Sequence, residues 1–170
     1  MSKEIRFFNV LFPLWFLLIF PIYWLVILPA NFLIDSAVLI ITLKILKERP
    51  IWNYYKQTII KVWMFGFLAD IIGAVLMFLS QIDISQKSGI NDWWFHHITN
   101  PVAYNPFDNP YSLIYVVLVV ALAAVFIYVF NLKFSLKNLE VDLAAKKKIA
   151  LSLAVFTAPY ILLFPSKLLY

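Results

Sequence analysis

Asp70 stands near the middle of VWMFGFLADIIGAVLMFLS, a run with no other charged side chain. Insertion scales put an ionised carboxyl at the centre of a bilayer-crossing helix at about 2.5 to 3.5 kcal/mol unfavourable. Such residues therefore face a helix bundle or an aqueous path, where they pair or bind something. Gly66 and Gly73 lie four residues before and three after Asp70, and Ala69 pairs with Gly73 in a small-xxx-small spacing. One helix face thus carries both the acid and the notches that admit another helix. Two readings stand for Asp70: a protonated or hydrogen-bonded carboxyl that joins two helices, and a carboxyl that binds an ion or proton on a path through the membrane.

Asn31, Asp35 and Thr42 make a second polar stripe, with Asp35 four residues beyond Asn31 and Thr42 seven beyond Asp35. This stripe suits an outward vestibule or a set of oxygen ligands for a cation. Its structural counterpart has Asn31 capping a helix and Asp35 hydrated near the N-terminus of that helix. If the helices bearing Asp35 and Asp70 are adjacent and antiparallel, the two acids sit a turn or two apart in depth and can share one path. They are also the one intramembrane pair that an aspartyl hydrolase could use, although such chemistry needs carboxyls close together and the expected offset counts against it.

His96 and His97 invite a metal reading, with Asp92 four residues before His96. Adjacent side chains diverge by about 100° on a helix and point to opposite faces of a strand. Neither an HExxH nor a His-x3-His spacing is present, so no metal site is expected. pH sensing and an ordinary interfacial loop, rich in Trp93 and Trp94, are the remaining readings of this segment.

The composition sets the stage for these residues. Of 170 residues, 64% are hydrophobic and 14% charged, against roughly 45–50% and 25% in soluble domains. Ordinary soluble, disordered and fibrous classes are excluded. With no cysteine, the chain has no disulfide, thiolate metal site or Cys nucleophile. P-loop, Rossmann and GxSxG patterns are missing as well, so no cofactor is expected and an enzyme is the less favoured class. The net charge of +5 flanks apolar runs instead of gathering on a solvated face. It therefore reports topology and not nucleic-acid binding.

Residues 7–43 contain one side chain charged at neutral pH, Asp35, and as a single helix would extend about 55 Å across a hydrocarbon core of about 30 Å. Two spans with a reversal at Leu28-Pro29-Ala30-Asn31 are expected, because Pro29 disfavours helix at the residue before it. The run is too long for a cleaved signal segment. The full expectation is an all-α, single-domain bundle of about five transmembrane helices at residues 8–28, 31–47, 59–80, 111–130 and 149–165. Residues 81–110 form an external loop, Lys133 to Lys148 an amphipathic stretch on anionic lipid, and Pro159 kinks or ends the last span. With the N-terminus inside and the C-terminus outside, 12 of the 14 basic residues fall on the cytoplasmic side, as the positive-inside rule requires. A four-span arrangement, with residues 7–43 crossing once, leaves Lys3 and Arg6 on the wrong side.

These readings converge on a multi-pass protein of a bacterial cell membrane, in contact with the lipid bilayer and assembled as a homo-oligomer or within a larger membrane complex. The expected function is a small transport or channel component for an ion, proton or small solute, with Asp70, Asp35, Asn31 and Thr42 as pathway residues. The alternatives are an accessory subunit packed through Gly66, Ala69 and Gly73, and a membrane-embedded enzyme using both aspartates.

Overall fold

A computed structural model describes residues 13–82 and 88–169. Lys3, Arg6, Lys87 and the start of the expected first span at residues 8–12 lie outside the described residues. Every element among the described residues is helical. Two 3-10 turns, Leu14–Leu18 and Pro21–Tyr23, lead into α1 (Trp24–Ile45), which is followed by α2 (Ile51–Leu79). α3 (Ser88–Trp94), a π-helical turn (Phe95–Thr99), α4 (Asn100–Tyr104) and a 3-10 turn (Pro106–Asp108) form the connection to α5 (Pro110–Phe130). α5 continues as a π-helical turn (Asn131–Ser135), and α6 (Leu143–Phe156) is followed by 3-10 turns at Tyr160–Leu163 and Ser166–Leu169.

Three of these helices, built on α1, α2 and α5, are long and apolar enough to cross a membrane. Their outward faces carry Leu25, Leu33, Ile41, Met64, Leu118 and Val125, side chains suited to contact with lipid tails. α2 packs on both α1 and α5, and α6 lies against α1 and α5.

Local chemistry fixes the helix ends. Asn109 accepts from the Tyr111 amide at 2.9 Å ahead of Pro110, and Asp142 accepts from the Ala145 amide at 2.6 Å. Both are N-caps that satisfy otherwise orphaned donors. At the far end of α2, the Ser80 carbonyl accepts from the Trp94 indole at 3.0 Å and the Thr99 hydroxyl at 2.8 Å. α1 stops in a Schellman motif, with the Glu48 amide donating to Leu43 and the Lys47 amide to Lys44. This places Lys47 at φ 58°, a left-handed conformation that disfavours a side chain with a Cβ. Lys47→Gly is expected to raise stability by about 1 kcal/mol, measured by denaturant unfolding in detergent; a loss of stability would contradict the assigned role of this turn.

Two contacts identify the ends of the bundle. The Tyr54 hydroxyl donates to the Glu140 carbonyl at 3.2 Å, joining the α1–α2 and α5–α6 connections at one end. Lys167 meets Asp108 at 2.9 Å, joining the tail to the α4–α5 turn at the other. Hydrogen bonding to the Lys167 ammonium, with a smaller contribution from Asn105, holds the exposed Asp108 carboxyl below its ordinary range. Whatever this pair contributes is present above that range and is lost as pH falls through the lowered value. Because residue 140 is at one end and residue 167 at the other, α6 and the segment after it form a fourth traverse. That traverse is broken in its middle.

The sequence expectation is corrected at several points. α1 runs unbroken through Pro29 and Asn31, so the reversal at 28–31 and the separate spans 8–28 and 31–47 are not found. Residues 13–23 lie at the end occupied by the α2–α5 connection, where the Trp15 indole donates to Val102 at 3.3 Å. Residues 13–45 therefore run from one end of the bundle to the other once. Pro29 lacks the N–H that would bond the Leu25 carbonyl one turn earlier, yet α1 continues around it, and the Trp63 indole donates to the neighbouring Leu28 carbonyl at 2.9 Å. The stretch from Lys133 to Lys148 is no independent surface helix. Its first part prolongs α5, and its last part belongs to α6. The expected span 149–165 gives way to the 14-residue α6 and irregular backbone. The described part of the 81–110 connection, from residue 88 on, is a packed cap, with Ile98 and Val102 in one cluster with Trp15 and Val116.

Candidate functional site

Helix length and basic flanks set the depth of the polar residues. Nine residues separate Asp35 from Lys44 on α1, Lys61 from Asp70 on α2, and Lys148 from Thr157 at the end of α6. At 1.5 Å per residue each polar group lies about 13 Å from a lysine, and lysines near span ends reach for the interface. Another nine residues take α2 from Asp70 to Leu79. Asp35, Asp70 and Thr157 therefore lie near the middle of the bundle, with Asp70 level with Asn31 and Asp35 level with Gly66, so that the two acids are about one helical turn apart in depth.

α1 and α2 turn their acids toward each other. Asp35 is 3% exposed and Asp70 7%. The Asp35 carboxyl fits the notch at Gly66, where a Cβ would stand 3.4 Å from Asp35 Oδ2. It is near enough to Asp70 to act on it electrostatically. Asn31 is not the helix cap that its sequence context suggests. It lies within α1, and its Nδ2 donates to Asp70 Oδ2 at 2.9 Å. The second oxygen of that carboxyl, Oδ1, is buried with no hydrogen-bond partner.

The third wall is the break after α6. Pro159, with φ −74° and ψ 65°, centres an inverse γ-turn in which the Tyr160 amide donates to Ala158 at 2.7 Å. Together α1, α2 and residues 156–161 enclose a cavity of about 390 Å³ lined by Asn31, Asp35, Gly66, Asp70, Thr157 and Tyr160 among apolar side chains. Irregular backbone at membrane depth is tolerated where it is covered by protein or lines a cavity, and here it lines one. The C-terminal end of α6, whose backbone carbonyls carry a partial negative charge, points toward the same cavity. Among the described residues, no lysine, arginine or histidine lines this cavity.

Thr42 is buried but lines a separate cavity, of about 460 Å³, with Lys148 and Ser152; it does not join the acids. Phe156 lines both cavities. The glycine face is filled from within the chain. A Cβ on Gly73 would lie 3.1 Å from Leu162 Cδ1, 3.6 Å from Ala123 Cβ and 3.7 Å from Pro159 Cγ. Ala69 is fully buried.

His96 and His97 are not drawn into this site. His97 Nδ1 lies 2.8 Å from the Trp93 carbonyl, so Nδ1 carries the hydrogen. Its ring stacks on Trp93 with centroids 4.8 Å apart. His96 meets the ring of Phe95 edge-on, and Asp92 is exposed. Among the described residues no group of three His, Cys, Asp or Glu side chains is placed to hold a metal ion. Asn131 Oδ1 and Ser135 Oγ are also buried without partners, but neither lines any of the cavities described above.

Sequence reasoning passed over Thr157 and the break at Pro159 as parts of the site. The equal spacing from lysine to polar residue on three segments was the available signal. Asn31→Ala is expected to cost about 1–3 kcal/mol, since it leaves Asp70 Oδ2 buried without its donor; unfolding of the purified protein in detergent checks this, and an unchanged midpoint would contradict the Asn31–Asp70 bond.

Comparison with known proteins adds no relationship: no protein-family model, no curated protein and no solved structure matches the chain.

Proposed function

We propose that this chain is a small membrane transport or channel component, with Asp70 and Asp35 as the carboxyls that receive the mobile species. The observation that carries this reading is the unpartnered, buried Asp70 Oδ1 beside a cavity shared with Asp35 and closed by a broken helix. Discontinuous helices that end at a mid-membrane polar site are a recurrent device for binding ions in transporters. The proposed orientation puts the Tyr54–Glu140 end in the cytoplasm, because Lys44, Lys47, Arg49, Lys56, Lys61, Lys133, Lys137, Lys146, Lys147 and Lys148 gather toward it. Thr42 and Ser152 then lie on the cytoplasmic side of the acids. The test is reconstitution of the full chain in liposomes, with fluxes of protons, alkali cations and small neutral osmolytes followed in parallel. Flux above protein-free liposomes is expected for one of them, and background flux for all would overturn the reading.

A second reading draws on the same pairing of acids. A membrane-embedded aspartyl hydrolase needs two adjacent carboxyls, and Asp35 and Asp70 line one cavity about one helical turn apart in depth, the near end of the offset expected. Such an enzyme would move no charge in the liposome assay, which separates the two. In the accessory-subunit alternative the Gly66–Ala69–Gly73 face would pack on a partner, whereas Gly66 and Gly73 here face side chains of the chain itself.

A further inference from the structure

We infer that the species received by the Asp35–Asp70 pair is a proton, bound and released at these carboxyl oxygens, and not a metal cation. The inference rests on the transport reading and names its substrate. It begins from charge. Two ionised carboxyls in one cavity, with the negative end of α6 toward them, leave charge that no basic side chain among the described residues lining it offsets. The titratable groups lining the cavity from α1, α2 and the segment after α6 are Asp35, Asp70 and Tyr160; α5 contributes none. The Tyr160 hydroxyl is committed to the Val155 carbonyl at 2.6 Å. Among the described residues no positive charge faces the pair, so the charge assigned to it comes from solution.

The oxygen supply decides which charge. A metal cation of the hard type takes about six or more oxygen ligands. Here the Leu153 carbonyl already accepts from the Thr157 amide at 2.9 Å and hydroxyl at 2.8 Å. The Val155 and Ala158 carbonyls are taken by Tyr160, and Asp70 Oδ2 by Asn31. Most of the remaining wall is apolar, from Leu18, Val26, Ile27, Ile34, Ala158 and Ile161. A proton needs a single oxygen, and Asp70 Oδ1 is free.

Thr157 lines the same cavity with its one hydroxyl hydrogen directed at the Leu153 carbonyl. Binding then forms one O–H bond on a carboxylate and release breaks it; no other bond changes.

Infrared titration of the full chain in lipid vesicles tests this without requiring flux. The expected result is a carboxylic-acid C=O band that appears and disappears with pH, is the same in sodium and choline chloride, and is lost in Asp70→Asn and in Asp35→Asn. Asp70→Glu, which keeps the acid, is expected to retain a shifted band, and the sodium arm needs no variant at all. A missing band, a band that does not titrate, or one displaced by sodium would overturn the inference. A titrating band without proton flux in liposomes would overturn the transport reading alone, and sodium-driven charge movement with a sodium-displaced band would overturn the proton assignment alone.

Discussion

Asp70→Asn is expected to bring flux down to the level of protein-free liposomes while leaving the protein folded. Asparagine has the shape of aspartate and keeps a carbonyl oxygen where Asp70 Oδ2 accepts from Asn31. The substitution removes only the capacity to exchange charge. It also relieves like-charge contact with Asp35, so folding stability should change by less than about 1 kcal/mol. Asp35→Asn should behave in the same way, and the double variant no worse than either single one, because residues that act as a unit are non-additive. Wild-type flux in a folded Asp70→Asn protein would return Asp70 to the role of a helix-joining carboxyl.

Gly73→Leu is expected to be the most destabilising single change at this site. Even a methyl at residue 73 would stand 3.1 Å from Leu162 and 3.6 Å from Ala123. Overpacking of a filled interior usually costs about 1–3 kcal/mol, and the three further carbons of leucine put this case at about 3 kcal/mol or more. The seam that opens is the one holding residues 159–162 against α2 and α5, so the cavity wall should be lost with it. Gly89→Leu, with open space around its Cβ position, is the control and should lie within about 0.5 kcal/mol of wild type. Thermal unfolding reads the stability, and the assembly mass in detergent reads the alternative. An unchanged unfolding temperature together with dissociation from an oligomer would restore the glycine face to intermolecular packing.

Long-range composition carried much of the fold. The apolar runs give α1, α2 and α5 directly, and the Asn-Pro pairs at 105–106 and 109–110 give the caps before the Pro106–Asp108 turn and α5. Pro159 ends regular helix pairing close to where its missing N–H requires. Pro29 has the same residue chemistry and a different outcome, because α1 continues around it beside Trp63. Proline removes one donor in both places; whether the chain breaks depends on neighbours, which local sequence does not contain.

That one difference moved the site. With a helix starting at Asn31, Asp35 stands near the surface and apart from Asp70. With α1 starting at Trp24, Asp35 lies eleven residues, or about 16 Å, into the helix. Asn31 then becomes a donor to Asp70 instead of a cap. The identity of the two acids was readable from their cost in an apolar run. Their meeting in one cavity, and the part taken by Thr157, depended on helix rotation and register.

Everything proposed for the site depends on α1 turning Asp35 into the notch at Gly66, beside Asp70. The chain contains no cysteine, so a disulfide can be read in an unaltered background. With Asp35→Cys and Gly66→Cys introduced together and the protein oxidised in its membrane, an intramolecular cross-link is expected, since a Cβ at residue 66 approaches the Asp35 side chain to 3.4 Å. Thr42→Cys with Gly66→Cys, two helical turns away along α1, should give none. A cross-link from residue 42 and not from residue 35 would contradict the placement of the two acids in one cavity.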